Sequence, residues 1–289
     1  MTDSTPQLLP VGINPRVDCV FRALLADPQH SDRLLDFLQA ILERPIQSVQ
    51  LTNPFTRMDH LGDSHIVVDV LAYGPDGHAF HVEMQTSIHS KLSERMLFGW
   101  ATLYHAQIAR GEGYLRLRPV VSIWLLDRNL FRSATDYHHR FRLRDQAGLE
   151  LSSDLEIHVI ELDRWRSAPD RGAAGGWIWF FAEAETWPQV PVEVDRPTLE
   201  SAMSVLTEFQ QNAAQNDLYR SRLQAMLLQA TLAQDAQEKA EALARQEALE
   251  AALEAERAEK ERARSAEAHA LAELARALER LRAAGLSTD

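Results

Sequence analysis

The sequence predicts an α/β domain followed by a long C-terminal helical or coiled-coil extension. Apolar residues in the first part of the chain switch between helical and strand periodicity, and after Pro197 the composition changes to Ala, Glu, Arg, Gln and Leu. The 289 residues are 45% hydrophobic, which suffices for one core and an appendage. We therefore expect a disordered lead-in over 1–15, an α/β domain over 16–190 and the extension over 197–284.

The elements of the α/β domain follow from periodicity and from turn residues. They are helical segments within 17–42 around a break at Asp27-Pro28, strands over 46–51, 65–73 and 78–86, a helix over 90–110, and strands over 118–126 and 156–162. The turn over 74–77 is too short for a parallel crossover, so its two flanking strands should form an antiparallel hairpin. Aromatic side chains over 177–187 are expected to close the core or to contact the helical extension, rather than to stack on bases.

The extension has the composition of one long helix, because no proline or glycine follows Pro197 until Gly285. Leucines at helical spacing form a clear seam near its end and a weaker seam before it. They are Leu271, Leu274, Leu278 and Leu281, and Leu243, Leu249 and Leu253. Two interpretations remain open: a solvated charged helix, or a self-associating coiled coil or helical hairpin.

Composition excludes several classes of protein. One cysteine, Cys19, permits neither a disulfide framework nor a thiolate zinc site, and indicates a reducing, cytoplasmic location. The first twenty residues lack the features of an export signal, and no run of eighteen apolar residues predicts a membrane span. The net charge of −12 gives no general attraction to phosphate backbones, so binding to nucleic acid would need a local basic face or bound cations.

Polar residues in the predicted hairpin form a candidate metal site. Alternation along a strand places Glu83 and Gln85 on one face, together with His81. Pairing across the turn would bring the carboxylate of Asp69 beside them. Two carboxylates and an amide oxygen are hard ligands that suit Mg²⁺ or Mn²⁺. The alternative is a hairpin that simply exposes its polar face to water.

Four segments carry a family resemblance. They are DCVFRALLAD (18–27), VVDVLAYGPDGHAFHVEMQ (67–85), the helix from Arg95 to Tyr114 that ends in GEGY, and PVVSIWLLD (119–127). These segments resemble the Rpn family of recombination-promoting nucleases, also described as transposases, within the PD-(D/E)XK nuclease superfamily. The resemblance spans about residues 15–165 and is strongest in the hairpin that contains Asp69 and Glu83.

This resemblance implies a restriction-endonuclease-like mixed sheet flanked by helices, and metal-dependent hydrolysis of DNA. It implies catalytic roles for Asp69, Glu83 and Gln85, with the two acids as ligands of Mg²⁺ or Mn²⁺. Asp18 matches the acid of the family's first helix, where it would add a ligand or a water-mediated contact, or cap the helix. Val68 replaces the usual proline, and Gln85 replaces the usual lysine. Because an amide only orients water or ligates, activation of the water should depend mainly on the metal.

Basic residues suggest a DNA-facing surface. The stretch from residue 110 to residue 144 holds eight arginines, namely Arg110, Arg116, Arg118, Arg128, Arg132, Arg140, Arg142 and Arg144. Guanidinium groups suit phosphate oxygens, so we select Arg116, Arg118, Arg140 and Arg142 as candidate DNA contacts, although ordinary salt bridges are an equal alternative. Lys91 and Arg95 could reach the substrate or a site carboxylate; these two are the remaining candidate contacts.

Two functions fit these features. The first is a DNA endonuclease that forms a homo-oligomer through its C-terminal helix, so that two active sites act on one duplex. The second is a nuclease-fold scaffold that binds a protein partner through that helix. A transposase with three carboxylates on a ribonuclease H-like fold has little support, because the Asp-turn-Glu-x-Gln hairpin is a different arrangement. Convergence of Asp69 and Glu83 in an open pocket flanked by arginines would favour the enzyme.

Overall fold

The computed structural model describes residues 12–52, 69–88, 91–167, 175–194 and 196–283. These residues form a six-stranded mixed sheet flanked by helices, which confirms the predicted fold class. The strands are β1 (Gln50–Leu51), β2 (Val70–Tyr73), β3 (Ala79–Gln85), β4 (Val120–Leu126), β5 (His138–Arg144) and β6 (Glu150–Glu161). The helices are α1 (Asp18–Leu25), α2 (Ser31–Leu42), α3 (Leu92–His105), α4 (Leu162–Arg166), α5 (Gly175–Glu183), α6 (Pro197–Gln211) and α7 (Ala213–Ala283).

The strand order in the sheet is β1-β2-β3-β4-β6-β5. β3, β4 and β6 run parallel, whereas the other neighbouring pairs are antiparallel. The predicted hairpin is confirmed, with Val70 opposite Val82. Its turn depends on Gly77, which has a φ of 84°, and a Cβ there would lie 3.0 Å from Cγ of Arg118.

The two faces of the sheet bury different cores. Phe80, Val82 and Met84 of β3 face the larger core, which α1, α2, α5 and α6 cover. Trp177 and Phe181 of α5 are fully buried in it, so the prediction that this aromatic segment closes the core is confirmed. The alternate residues of β3 face α3, which packs on smaller apolar clusters. β3 therefore carries apolar side chains to one face and polar side chains to the other, as its alternation predicts.

β5 was not predicted, because its sequence HHRFRLR has charged residues where a buried strand has apolar ones. It forms an exposed edge strand that pairs only with β6 among the described residues. β6 also begins earlier than expected, at Glu150 instead of residue 156, and its first residues are exposed. Charged side chains on an edge strand discourage pairing with other chains, which accounts for a composition without strand character.

The predicted single helix from residue 197 is interrupted at Asn212. The Oδ1 atom of Asn212 accepts hydrogen bonds from the backbone N–H groups of Ala214 and Gln215, so this residue ends α6 and caps α7. α6 and the first turns of α7 contribute buried residues to the larger core. These are Leu199, Ala202, Leu206, Phe209, Tyr219 and Leu223. The predicted boundary at residue 197 therefore falls inside the compact unit, which extends to Ala233.

Long-range hydrogen bonds attach these last helices to the rest of that unit. The hydroxyl of Tyr219 on α7 accepts the backbone N–H of Asn14 over 3.0 Å. Asp36 on α2 accepts from Nε1 of Trp177, Nη1 of Arg196 and Oγ1 of Thr198, at 2.6–2.7 Å. α6 and the start of α7 are therefore fixed by polar contacts as well as by apolar burial.

The second compact unit is Gln234–Asp289. It is helical through Ala283, and its leucines from Leu243 to Leu278 are exposed, including Leu249 at 62% and Leu271 at 60%. Across the described ranges, the helices are either too short or too polar to span a bilayer.

Candidate active site

Asp69 and Glu83 lie opposite each other at the open end of the β2–β3 hairpin. The backbone N–H of Asp69 donates to Oε1 of Glu83 over 3.2 Å. The backbone N–H of Met84 donates to Oδ2 of Asp69 over 3.1 Å. The hairpin register that pairs Val70 with Val82 thus also brings the two carboxylates together.

Both acids are largely buried, with 3% of Glu83 and 12% of the Asp69 side chain exposed. Burial, and after it the charge of Glu83, raises the pKa of Asp69 to about 6. Two ionised carboxylates in this position repel each other. A divalent cation between them would remove that repulsion.

A chain of buried side chains holds Glu83 from β4. Trp124 Nε1 donates to Oγ of Ser122 over 2.9 Å, and Nδ1 of His81 lies 2.8 Å from the same Oγ. Nε2 of His81 lies 3.1 Å from Oε1 of Glu83. If Ser122 donates to His81 and His81 donates to Glu83, the hydroxyl of Ser122 and both ring nitrogens of His81 have hydrogen-bond partners. His81 is thus a buried hydrogen-bonding group that orients Glu83.

Ser122 is a residue that the sequence analysis did not select. It is the one polar residue in the strand VVSIWLL, and it pairs in register with His81. A hydroxyl in an otherwise apolar buried strand needs a hydrogen-bond partner, and that requirement was the available signal.

Two arginines contact the acidic pair. Arg22 on α1 donates to Oδ1 of Asp69 from Nε at 3.3 Å and from Nη2 at 3.0 Å. Arg95 on α3 lies with Nη2 4.0 Å from Oε2 of Glu83. Its guanidinium carbon is also 5.7 Å from the centre of the Trp124 ring, which supports its position by a cation–π contact. Arg22 was not predicted, because its proximity to Asp69 depends on how α1 packs.

Gln85, which stands where the superfamily usually has lysine, is fixed at both ends of its amide. Its Nε2 donates to the backbone oxygen of Ser87 over 2.9 Å. Its Oε1 accepts from Nη1 of Arg95 over 3.3 Å. A positive charge is therefore present beside the neutral side chain, although it is carried by the next helix.

These residues line a pocket of about 670 Å³. α1 contributes Asp18 to it, and α7 contributes a wall that includes Arg222, Met226 and Gln229. Asp18 pairs with Arg222 across 3.6 Å, and its Oδ1 accepts the N–H of Cys19. The capping position of α1 is Val17. Asp18 therefore lies in the same pocket as the acidic pair, beside the helix start.

A protein-family model matches the part of the sequence that forms this pocket. The model of the PD-(D/E)XK nuclease family transposases matches residues 15–236, more than half of the chain. The chain belongs to this family. The match includes every residue of the pocket, and it confirms the superfamily to which the sequence resemblance pointed. The comparison with curated proteins found no match, and the comparison with solved structures found none either.

The basic residues predicted to contact DNA do not all gather at the pocket of this PD-(D/E)XK protein. Arg95 lines it, whereas exposed Lys91 pairs with Glu94 over 2.8 Å. Arg116 pairs with Glu112, and Arg118 donates to the backbone oxygens of Leu115 and Leu117. Both precede β4, whose first residues lie beside the start of β3, so they are at the other end of the strand from Glu83. Arg140 and Arg142 lie on β5 and contact Glu156.

The donor set of the pocket fits a hard divalent cation. Among the residues that the structure describes, no group of three or more His, Cys, Asp or Glu side chains is arranged to hold a metal. Mg²⁺ needs no such group, because it is commonly bound by one or two carboxylates and keeps several water ligands. Asp69 and Glu83 supply two carboxylates, and Gln85 and Asp18 bring further oxygens to the same pocket.

Proposed function

We propose that this PD-(D/E)XK family member is a metal-dependent DNA endonuclease that hydrolyses phosphodiester bonds. One observation carries the proposal: Asp69 and Glu83 converge in a pocket that is open to solvent and lined by Arg22, Arg95 and Arg222. Buried acids that served only the fold would not need to face an open pocket.

In this proposal Asp69 and Glu83 hold Mg²⁺ or Mn²⁺, and His81 keeps Glu83 oriented toward it. A bound divalent cation supplies polarisation of the scissile phosphate and lowers the pKa of a coordinated water. The held amide of Gln85 orients that water or adds an oxygen ligand, and Asp18 is available for a water-mediated contact.

Arg95 provides the positive charge that Gln85 lacks. Its side chain is 48% exposed at the mouth of the pocket, so a phosphate oxygen can reach it without displacing buried structure. Charge develops on the phosphate oxygens as the nucleophile adds, and a fixed guanidinium stabilises that charge.

Plasmid nicking by the full-length protein tests this function, with Mg²⁺, Mn²⁺ or EDTA and with Asp69→Asn and Glu83→Gln. We expect cleavage that requires the cation and falls at least about a hundredfold in either variant, since each variant removes a charged ligand. Glu94→Gln is the matched control, because Glu94 is an exposed acid of α3 that pairs with Lys91.

Cleavage that persists in both variants would refute these site residues. Absence of cleavage on supercoiled, linear and single-stranded DNA, with no cation bound in calorimetry, would favour the scaffold that acts through its C-terminal helix.

We further propose that the unit Gln234–Asp289 associates with a second copy of itself, so that two active sites serve one duplex. Leu271, Leu274 and Leu278 support this, because they are exposed at 3-4 spacing on one helix. Sedimentation velocity should show a dimer or higher oligomer that Leu271→Gln with Leu274→Gln reduces to monomer. A wild-type monomer at micromolar concentration would exclude the association.

A further inference from the structure

A group of arginines surrounds Glu156 on β6, away from the candidate active site. Arg142 Nη2 lies 2.9 Å from Oε1 of Glu156, and Arg140 Nε lies 3.5 Å from the same oxygen. Arg44, just after α2, brings Nη1 to 3.2 Å from Oε2. Nε2 of His158 also lies 3.1 Å from Oε1 of Glu156. One carboxylate thus holds three guanidinium groups, which we call the Glu156 cluster.

The carboxylate in this cluster is buried, whereas the cations are not. The side chain of Glu156 is 6% exposed, but those of Arg44, Arg140 and Arg142 are 39%, 38% and 33% exposed. Each guanidinium carries five N–H donors in a fixed plane, so bonds to one shared carboxylate leave donors directed to solvent. Glu156 therefore fixes the arginines in place without covering them.

The cluster keeps a positive charge after all its partners are counted. Arg144, on β5 with Arg140 and Arg142, pairs with Glu150 over 3.0 Å. The hydrogen bond to Glu156, and also the charge of Glu150, raise the pKa of Arg142. Four arginines and two glutamates leave a formal charge of +2. Burial, the neighbouring His158 and Arg140 lower the pKa of His138 to about 3, and burial lowers the pKa of His158, so neither adds charge at neutral pH.

This positive surface is separate from the acidic pocket. Glu83, Trp124 and Val159 lie in one row across the parallel strands and face α3. Glu156 is three residues from Val159 on the same strand, so its side chain points to the opposite face of the sheet. The cluster lies on the β5 edge of that face, and none of its arginines lines the pocket.

We propose that Arg44, Arg140 and Arg142 form a second, sequence-independent contact that binds phosphates of a nucleic-acid backbone. The proposal rests on DNA being the substrate of the proposed endonuclease. Phosphate oxygens match planar guanidinium donors, and the fixed cations lose little conformational freedom on binding. Arg140 and Arg142 are two residues apart on β5, so their Cα atoms are separated by about 6.8 Å. This separation is comparable with the distance between neighbouring phosphates along an extended nucleic-acid backbone. In a chain of net charge −12, such a local surface is where a polyanion can approach.

Fluorescence anisotropy with a labelled DNA duplex in EDTA tests this contact without cleavage. Arg44→Gln and Arg142→Gln should each weaken binding several-fold at low salt, and should lower the slope of log affinity against log salt by about one. The loss should be equal for two unrelated sequences, because backbone phosphates carry no sequence information. Arg245→Gln is the matched control, since this exposed arginine of α7 is paired with Glu241 and is not a candidate DNA contact.

Arg44 lies outside the sheet, so Arg44→Gln tests the contact even if β5 variants fold poorly. Unchanged affinity and salt slope in folded Arg44→Gln with Arg142→Gln would overturn the proposal. So would a wild-type protein that binds no DNA at low salt in EDTA, because this contact needs no metal.

Parallel nicking assays separate this contact from the active site. Normal wild-type cleavage with no effect of these arginines on DNA binding would refute the second contact alone. Arginine-dependent binding without any cleavage would refute the endonuclease alone.

Discussion

Arg22 donates two hydrogen bonds to Oδ1 of Asp69, the oxygen of a proposed metal ligand. A guanidinium in that position competes with a divalent cation, because the two positive charges repel each other and share one carboxylate. Arg22 also keeps the buried acid paired when no cation is bound. At the proposed metal site, α1 would therefore weaken the binding of a cation whose ligands lie on the hairpin.

Removal of this competitor should strengthen cation binding. We expect Arg22→Gln to bind Mn²⁺ several-fold more tightly than wild type in calorimetry at low salt, since a positive charge about 3 Å from a ligand oxygen is lost. Arg116→Gln removes an arginine far from the site and should leave the affinity unchanged. Weaker binding by Arg22→Gln would mean that Arg22 holds Asp69 in place rather than competing for it.

Ser122→Ala should destabilise the protein by about 1 to 3 kcal/mol, because the buried N–H of Trp124 and the ring of His81 both lose a partner. Urea denaturation measures this change. Ser204→Ala is the control, since that exposed hydroxyl of α6 only donates to the backbone oxygen of Glu200. Equal midpoints for both variants would contradict a structural role for the Ser122 hydroxyl.

Asp36→Ala should reduce the free energy of unfolding by roughly 2 to 4 kcal/mol, because three donors from α5 and the start of α6 lose their acceptor. Thermal or urea denaturation should show this decrease as a lower midpoint of a single cooperative transition. Thr198→Val removes a single bond of this set and should lose about 1 kcal/mol. A variant at Asp36 that is no less stable than the one at Thr198 would show that this network does not attach α6.

Stability should fall as pH drops below about 6.5, and His138 should account for part of the fall. Asp69, whose pKa is raised to about 6, acts in the opposite direction below that value and offsets part of the fall. Burial and neighbouring charges depress the pKa of His138 from 6.5 to about 3, so between these values the unfolded chain binds more protons than the folded one. The contribution of His138 is complete above 6.5 and is lost as pH falls toward 3. Glu156, whose pKa is also lowered, acts in the same direction below its ordinary value of 4.5.

Urea midpoints at pH 7 and pH 5 check this dependence. The decrease should be smaller for His138→Gln than for wild type. His105→Gln, at the exposed end of α3, should show the wild-type decrease. An equal decrease in all three proteins would place the proton uptake elsewhere.

Local patterns were sufficient to predict the hairpin and the convergence of its acids. The turn over 74–77 dictates antiparallel pairing, and strand alternation then fixes which side chains share a face. Asp69 and Glu83 are only 14 residues apart, so no long-range packing is needed to place them together.

Features that depend on distant packing could not be predicted in this way. Arg22 contacts Asp69, which is 47 residues away in the sequence, and Ser122 contacts His81, which is 41 residues away. α6 looked like part of the extension because its composition matches, yet Leu199 and Phe209 are buried in the core. β5 was not predicted because its charged residues pair with Glu156 or face solvent, instead of packing in an apolar layer.

The separation of Asn14 and Tyr219 by 205 residues has a consequence for synthesis of the protein on the ribosome. The hairpin with the candidate ligands leaves the exit tunnel early, whereas the α7 wall emerges after nearly all of the compact unit has been translated. A nascent chain that stops before residue 222 would carry both acids without Arg222, Met226 or Gln229 beside them. The compact unit must therefore be translated through Ala233 before the pocket has its final shape, even though its acidic pair can assemble from a short local segment.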